Sequence, residues 1–164
     1  MISTERKLAM IDTPQILQTD LQHYAFLHLR VPSTEVRNVM GPGVRKVYSA
    51  VAAQDVAATG PWFTHHLVRP REFFDFEICV PVNEPVEASG EVKPGVWPSM
   101  RVARTVYRGD YEGLNGAWPK FLDWIAEQGL TTTEDLWERY LVGPETSGNP
   151  ADWRTELNRP LLNS

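Results

Sequence analysis

Residues 107–125 read YRGDYEGLNGAWPKFLDWI, and residues 136–142 read LWERYLV. A strand that ends at Tyr107 is followed by a turn at Gly109 and then by a helix with apolar and aromatic residues at helical spacing, which we expect to end at Gly129. The second segment alternates along a strand. Together they predict a strand–helix–strand order with an aromatic helix face.

Glu138 is the unusual residue in the second segment. It shares a strand face with Leu136, Tyr140 and Val142, and burying a carboxylate on such a face is costly unless a partner is supplied. One interpretation places it in a cleft, where it would serve in general acid or base catalysis. The other pairs it with an arginine on a neighbouring strand, such as Arg101 or Arg104.

Tyr140 lies two residues after Glu138 on the same predicted face. Its hydroxyl can hydrogen-bond a ligand or orient a water molecule. A half-buried strand aromatic without a functional role is an equally good interpretation of the pattern.

The same order of elements is predicted twice in the chain. In the first half we expect Gly41-Pro42-Gly43 to interrupt a helix, and residues 83–98 to form an irregular linker. The predicted elements are strand 23–31, helix 44–55, strands 62–68 and 73–80, then strand 99–107, helix 111–128 and strands 136–142 and 153–159.

Short sequence matches accompany this repeated order. Leu67-Val68-Arg69-Pro70 matches Leu141-Val142-Gly143-Pro144 at an offset of 141 − 67 = 74, and Glu77 with Pro81 matches Glu156 with Pro160 at 156 − 77 = 79. The pattern predicts an α+β fold of duplicated strand–helix–strand–strand modules with pseudo-twofold symmetry and a ligand groove at their junction. We expect a flexible lead-in over residues 1–13 and one domain over 14–162, with repeats at about 14–82 and 97–162.

Composition narrows the classes of function. The net charge is −5 and Lys and Arg do not cluster, so direct nucleic-acid binding is not expected. No stretch approaches the ~18 apolar residues of a membrane span, and no secretory signal is evident. The single cysteine, Cys79, excludes an intrachain disulfide and favours the cytoplasm.

Several polar residues have ordinary structural interpretations. His65 and His66 are adjacent and point to opposite strand faces, so we expect no metal site, and no cofactor is expected either. Glu156 and Glu77 lie on polar faces that are typical of solvated or paired carboxylates. Cys79 is typical of a buried core residue.

The second half carries an ordered set of motifs: Tyr107-x-Gly109-x-Tyr111, Trp118, Leu122, Trp124, Trp137-Glu138-x-Tyr140, Pro144, Thr155-Glu156 and Pro160-Leu161. Taken in order, these motifs resemble the GyrI-like small-molecule-binding domain family. The resemblance covers about residues 14–162 and implies the pseudo-twofold modules, the groove and a ligand-contacting glutamate at Glu138. No helix-turn-helix segment precedes it, so we expect a stand-alone protein. A branch with similar features comprises the cyclopropanoid cyclopropyl hydrolases.

The predicted site combines residues from both repeats. Glu138 and Tyr140 are the catalytic candidates, and their counterparts at the 74-residue offset, Thr64 and His66, make the groove chemically asymmetric. Trp97 is predicted as a linker residue that covers the groove or plugs it. The predicted ligand-binding residues are Phe26, His66, Trp97, Trp118 and Trp137.

Two functions follow from these residues. The first is capture of hydrophobic, flat or cationic xenobiotics, as in effector-binding domains with multidrug recognition. The alternative is a toxin-resistance hydrolase that opens a strained, electrophilic cyclopropane ring with water activated by Glu138. A protein partner such as gyrase is a further prediction.

Overall fold

The computed structural model describes residues 11–162 and shows an α+β fold with antiparallel strand pairing and, within that range, two α-helices. The chain divides into two compact units. Unit 1 comprises residues 11–18, 101–133 and 138–162 of the described range, and unit 2 comprises residues 19–100 and 134–137. The predicted lead-in falls largely on residues 1–10, which lie outside the described residues.

Eight strands and two helices make up the described structure, with 3₁₀ turns before each helix. The bounds are β1 Gln15–Gln18, β2 Gln22–Pro32, α1 Val36–Ala53, β3 Phe63–His66, β4 Phe73–Pro81, β5 Val92–Trp97, β6 Arg101–Arg108, α2 Leu114–Glu127, β7 Leu136–Val142 and β8 Arg154–Pro160.

In unit 2 the strand order is β3-β4-β2-β5, and α1 packs on β2 and β4. The helix runs unbroken through Pro42, so the predicted interruption at Gly41-Pro42-Gly43 is wrong. Gly43 is buried, and a Cβ added there would lie 2.5 Å from Cδ1 of Ile78. Close packing of the helix on β4 therefore outweighs the low helix propensity of this segment.

The predicted irregular linker over residues 83–98 also contains a strand. β5 pairs with β2, with Pro94 opposite Ala25 and Gly95 opposite Tyr24. Because β5 is the last strand in the order of unit 2, Pro94 removes a donor where a sheet tolerates its loss. A Cβ on Gly95 would lie 2.6 Å from the Tyr24 ring, so glycine permits this close contact.

In unit 1 the strand order is β1-β6-β8-β7, and α2 packs on β6. β1 is a short strand that the sequence did not predict, and it pairs antiparallel with β6. The helix ends as expected, with Gly129 at a φ of +72°, a conformation that glycine adopts without strain.

The two units repeat one order of elements. In each unit a strand is followed by a 3₁₀ turn, a helix and two more strands. The last of these three strands, β4 or β8, lies between the other two in the sheet. The predicted strand 136–142 matches β7 residue for residue. Neither described helix is both long and apolar enough to cross a membrane.

Candidate functional site

Glu138 lies on β7 in unit 1 with only 8% of its surface exposed. Its Oε2 accepts a 2.7 Å hydrogen bond from Nε1 of Trp118, and its Oε1 accepts one of 2.7 Å from the hydroxyl of Tyr140. Trp118 is 7% exposed and Tyr140 6%. Two neutral aromatic donors thus hold a buried carboxylate, without themselves supplying a positive charge.

Two further aromatic rings continue this cluster within unit 1. The Tyr111 ring lies 5.7 Å from that of Tyr140 at 77°, and 5.1 Å from that of Trp153 at 31°. Trp153 is oriented by a 2.9 Å hydrogen bond from its Nε1 to the carbonyl of Ser147. We call Tyr111, Trp118, Glu138, Tyr140 and Trp153 the aromatic–glutamate cluster.

Local sequence explains how Tyr111 and Trp118 reach this cluster. Gly109 adopts a φ of +127°, and the Asp110 side chain accepts a 3.2 Å hydrogen bond from the backbone N–H of Gly113. They begin the 3₁₀ turn that contains Tyr111 and leads into α2. Trp118 follows in α2, where it shares the buried side of the helix with Phe121.

Two carboxylates act on the hydroxyl of Tyr111. Burial, the Glu145 carboxylate and the Glu138 carboxylate, in that order, raise the pKa of Tyr111 to about 12. Its hydroxyl therefore stays protonated at neutral pH and is able to donate a hydrogen bond. Aromatic faces beside a buried carboxylate favour an organic cation, because both attract positive charge.

Arg104, one of the two arginines considered as a partner for Glu138, pairs with Glu156. Nε of Arg104 lies 3.3 Å from Oε1 of Glu156, and Nε of Arg139 lies 3.6 Å from the same oxygen. Nδ2 of Asn158 donates to this oxygen as well, at 3.0 Å. Glu156 is thus a paired carboxylate, as one of its two interpretations predicted, and Arg104 is directed to it.

The other predicted site residues belong to unit 2. Trp97 and Trp137 are 1% and 2% exposed, and their rings stack at 4.1 Å. His66 is also buried and stacks on Phe76 at 5.3 Å. Phe26 lines an open depression of about 530 Å³. The structure thus brings together Trp118, Glu138 and Tyr140 in one unit and Trp97 with Trp137 in the other, and the ligand-binding roles stay predictions.

Comparison with protein families decides the assignment. The profile of the GyrI-like small molecule binding domain matches residues 12–161, which is nearly the whole chain. The chain belongs to the GyrI-like family. Small-molecule binding is therefore the general function of this GyrI-like domain. A sequence comparison with curated proteins finds no match.

Solved structures share the fold of this GyrI-like domain. The EcmrR C-terminal domain superposes with a TM-score of 0.82 at 20% identity, covering 93% of this chain and 98% of that one. EcmrR in a complex with DNA gives 0.83 at 19% identity, and the match covers 98% of this chain but only 60% of EcmrR.

Two more distant structures have other descriptions. A hydrolase from Listeria innocua gives a TM-score of 0.64 at 12% identity, covering 97% of each chain. SAV2435, bound to tetraphenylphosphonium, gives 0.61 at 10% identity, covering 93% of this chain and 95% of that one. At such identities the likeness concerns the fold.

Unit 2 contains a half-buried polar group that the sequence did not predict. Nδ1 of His65 lies 3.0 Å from Oε1 of Glu77, and Nε2 lies 2.7 Å from Oδ2 of Asp135. The ring stacks on Trp137 at 3.7 Å, and Tyr24 donates to the same Glu77 oxygen at 3.1 Å. Asp135 is 70 residues away in sequence, so no local pattern indicates this group.

This arrangement predicts that His65 makes stability depend on pH. Burial alone would lower the pKa of His65, but its hydrogen bonds to Asp135 and Glu77 and the charges of both carboxylates raise it above the ordinary 6.5. A raised pKa means that the imidazolium stabilises the fold fully below about pH 6.5 and that this contribution is lost as pH rises through the folded-state pKa.

We therefore expect the free energy of unfolding to fall with pH just above 6.5 in the wild-type protein, and to fall less steeply in His65→Gln. Urea denaturation at a series of pH values measures both slopes. The substitution also removes the stacking of His65 on Trp137, but this loss is the same at every pH and does not change the slope. Parallel slopes in the two proteins would contradict a protonated His65.

Proposed function

We propose that this GyrI-like protein captures hydrophobic, flat organic cations, with Glu138 as the charge that selects them. The observation that carries the proposal is a carboxylate, 8% exposed, whose two oxygens are held by Trp118 and Tyr140. A buried carboxylate among aromatic rings favours a ligand that brings positive charge, because the carboxylate and the ring faces both attract a cation.

Aromatic side chains supply the remaining complementarity. Tyr111 and Trp153 pack on each other in the same cluster as the carboxylate, and a cation over an aromatic face gains about 0.5–2 kcal/mol. Flat, apolar parts of a ligand gain further free energy from stacking and from burial of their surface. The fold of SAV2435, which binds tetraphenylphosphonium, is compatible with a bulky aromatic cation.

The proposal includes the duplicated architecture. The recurring order of strand, helix and two strands in both units supports two related modules with pseudo-twofold symmetry. The sequence also predicts Phe26, His66, Trp97 and Trp137 as ligand contacts. We include these residues as secondary ligand contacts, because their packing within unit 2 is also enough to explain their positions.

Isothermal titration with a matched pair of ligands tests the cation preference. Tetraphenylphosphonium supplies a bulky aromatic cation, and triphenylphosphine oxide supplies a neutral analogue. We expect the cation to bind about tenfold or more tightly, as the attraction of a desolvated carboxylate and aromatic faces requires. Equal affinities, or no binding of the cation, would overturn the proposal.

A second candidate function, ring hydrolysis, uses the same carboxylate. A carboxylate oxygen carries more than one lone pair, so Glu138 can act as a general base toward water beside the 2.7 Å hydrogen bond from Tyr140. The water oxygen would bond to an electrophilic cyclopropane carbon while a ring C–C bond breaks, and the released electron pair would take up a proton. The product would contain one added water.

Mass spectrometry separates hydrolysis from capture. A cyclopropane-bearing alkylating compound is incubated with the protein. The molecular mass of the released small molecule is compared with that from a sample without protein. A protein-dependent gain of one water supports the hydrolase, whereas recovery of the unchanged compound contradicts hydrolysis and leaves capture to be judged from the titrations. A toxin-resistance role, a protein partner such as gyrase and a cytoplasmic location stay predictions of the sequence.

A further inference from the structure

The hydroxyl of Tyr111 is a buried donor whose hydrogen-bonding capacity the protein leaves unused. Its oxygen is shielded from solvent and forms no hydrogen bond with the residues that the structure describes. A buried hydroxyl without a partner costs on the order of 1–3 kcal/mol, so such groups are uncommon unless something else supplies the acceptor.

This hydroxyl lies within the aromatic–glutamate cluster. The Tyr111 ring contacts those of Tyr140 and Trp153, and Tyr140 donates to Glu138. A group that binds at Glu138 therefore lies near Tyr111, whose hydroxyl is close enough to be affected by the charge of that carboxylate.

The chain around Gly143 keeps the hydroxyl in place. A Cβ added to Gly143 would lie 2.7 Å from the Tyr111 oxygen and 2.9 Å from Oε1 of Glu145. The hydroxyl and the Glu145 carboxylate thus approach the same small space, which only a glycine leaves open. Glu145 is exposed, so its side chain can turn outward to admit an acceptor atom.

We propose that Tyr111 determines ligand specificity by donating a hydrogen bond to a neutral acceptor oxygen on the bound cation. The acceptor must be neutral, because Glu138 and Glu145 would repel an anionic one. The ligand class is therefore an organic cation that carries a carbonyl or ether oxygen beside its charged group. This inference rests on the proposed cation capture at Glu138.

The test compares two quaternary ammonium ions that differ in one oxygen. Phenacyltrimethylammonium has a carbonyl next to the ring, and (2-phenylethyl)trimethylammonium has a methylene there. We expect the wild-type protein to bind the carbonyl compound about fivefold more tightly, the value of one ordinary hydrogen bond. In Tyr111→Phe we expect the two affinities to agree within about twofold, with the methylene compound bound as in wild type.

Tyr107→Phe is the matched control, because its hydroxyl lies against Gly109 and Gly113 in the same unit and outside the cluster. It should keep the wild-type preference. If Tyr111→Phe does not fold, Gly143→Ala gives a second route, since its Cβ displaces the Tyr111 hydroxyl and should reduce the preference.

The outcomes separate this inference from the proposed function. If both cations bind wild type equally, or if Tyr111→Phe keeps the preference, the role of Tyr111 is overturned while cation capture stands. If neither cation binds wild type and tetraphenylphosphonium does not bind either, the proposed function fails and the inference fails with it.

Discussion

Glu138→Gln is expected to lower the affinity for tetraphenylphosphonium by about 1–3 kcal/mol, which is roughly 5- to 150-fold. Glutamine keeps the shape and an acceptor oxygen for Trp118 or Tyr140 but removes the negative charge. The affinity for neutral triphenylphosphine oxide should change little. Isothermal titration of both ligands against both proteins measures the effect.

The same variant distinguishes catalysis from capture. If the protein hydrolyses a strained ring, Glu138→Gln should lower turnover by roughly 10²–10⁴ while binding of a neutral substrate persists, because a general base contributes about that much. Turnover is followed by mass spectrometry of the product with one added water.

Glu156→Gln is the matched control for this variant. Glu156 is 7% exposed, close to the 8% of Glu138, and lies in the same unit, but it is paired with Arg104 and Arg139. Its loss should affect stability and leave the preference for the cation unchanged. A folded Glu138→Gln protein with wild-type binding and turnover would show that Glu138 is structural.

Trp97→Ala is expected to have the largest effect on stability, lowering the free energy of unfolding by about 3–5 kcal/mol, the usual range for a buried tryptophan truncated to alanine. Trp97 is 1% exposed and packs within one apolar cluster with Tyr24, Phe63, Cys79 and Trp137. Removing the indole leaves a cavity beside Trp137, whose ring stacks on it at 4.1 Å. Urea denaturation measures the change.

The control for this experiment is Trp124→Ala, on α2, where the side chain is half-buried. We expect a smaller loss there, about 1–2 kcal/mol, because less apolar surface leaves the core. If Trp97→Ala costs no more than the control but lowers tetraphenylphosphonium affinity, Trp97 is a ligand contact, as the sequence predicts, rather than a core residue.

Local periodicity was sufficient for part of the site. The alternation of side chains along a strand places Glu138 and Tyr140 on one face, and the structure joins them by a hydrogen bond. Helical spacing likewise put Trp118 and Phe121 on one side of α2, where both are buried. These relations involve residues close in sequence, so they follow from backbone geometry.

Chain elements governed by packing were harder to predict. α1 continues through Pro42 because Gly43 packs against Ile78 on β4, and β5 forms because β2 offers a partner for Pro94 and Gly95. Glycine and proline indicated a break in both places. Their local preference, about 1–3 kcal/mol per residue in a helix, was outweighed by contacts with distant strands.

The sequence by itself determined the family, the α+β class and the position of a carboxylate on an apolar face. Tertiary structure decided which groups meet that carboxylate and which do not. Trp118 donates to Glu138 from 20 residues away, and His65 bridges Glu77 to Asp135. Such pairings depend on how strands and helices pack. They form because an unpaired buried charge is costly, and no local pattern in the sequence indicates them.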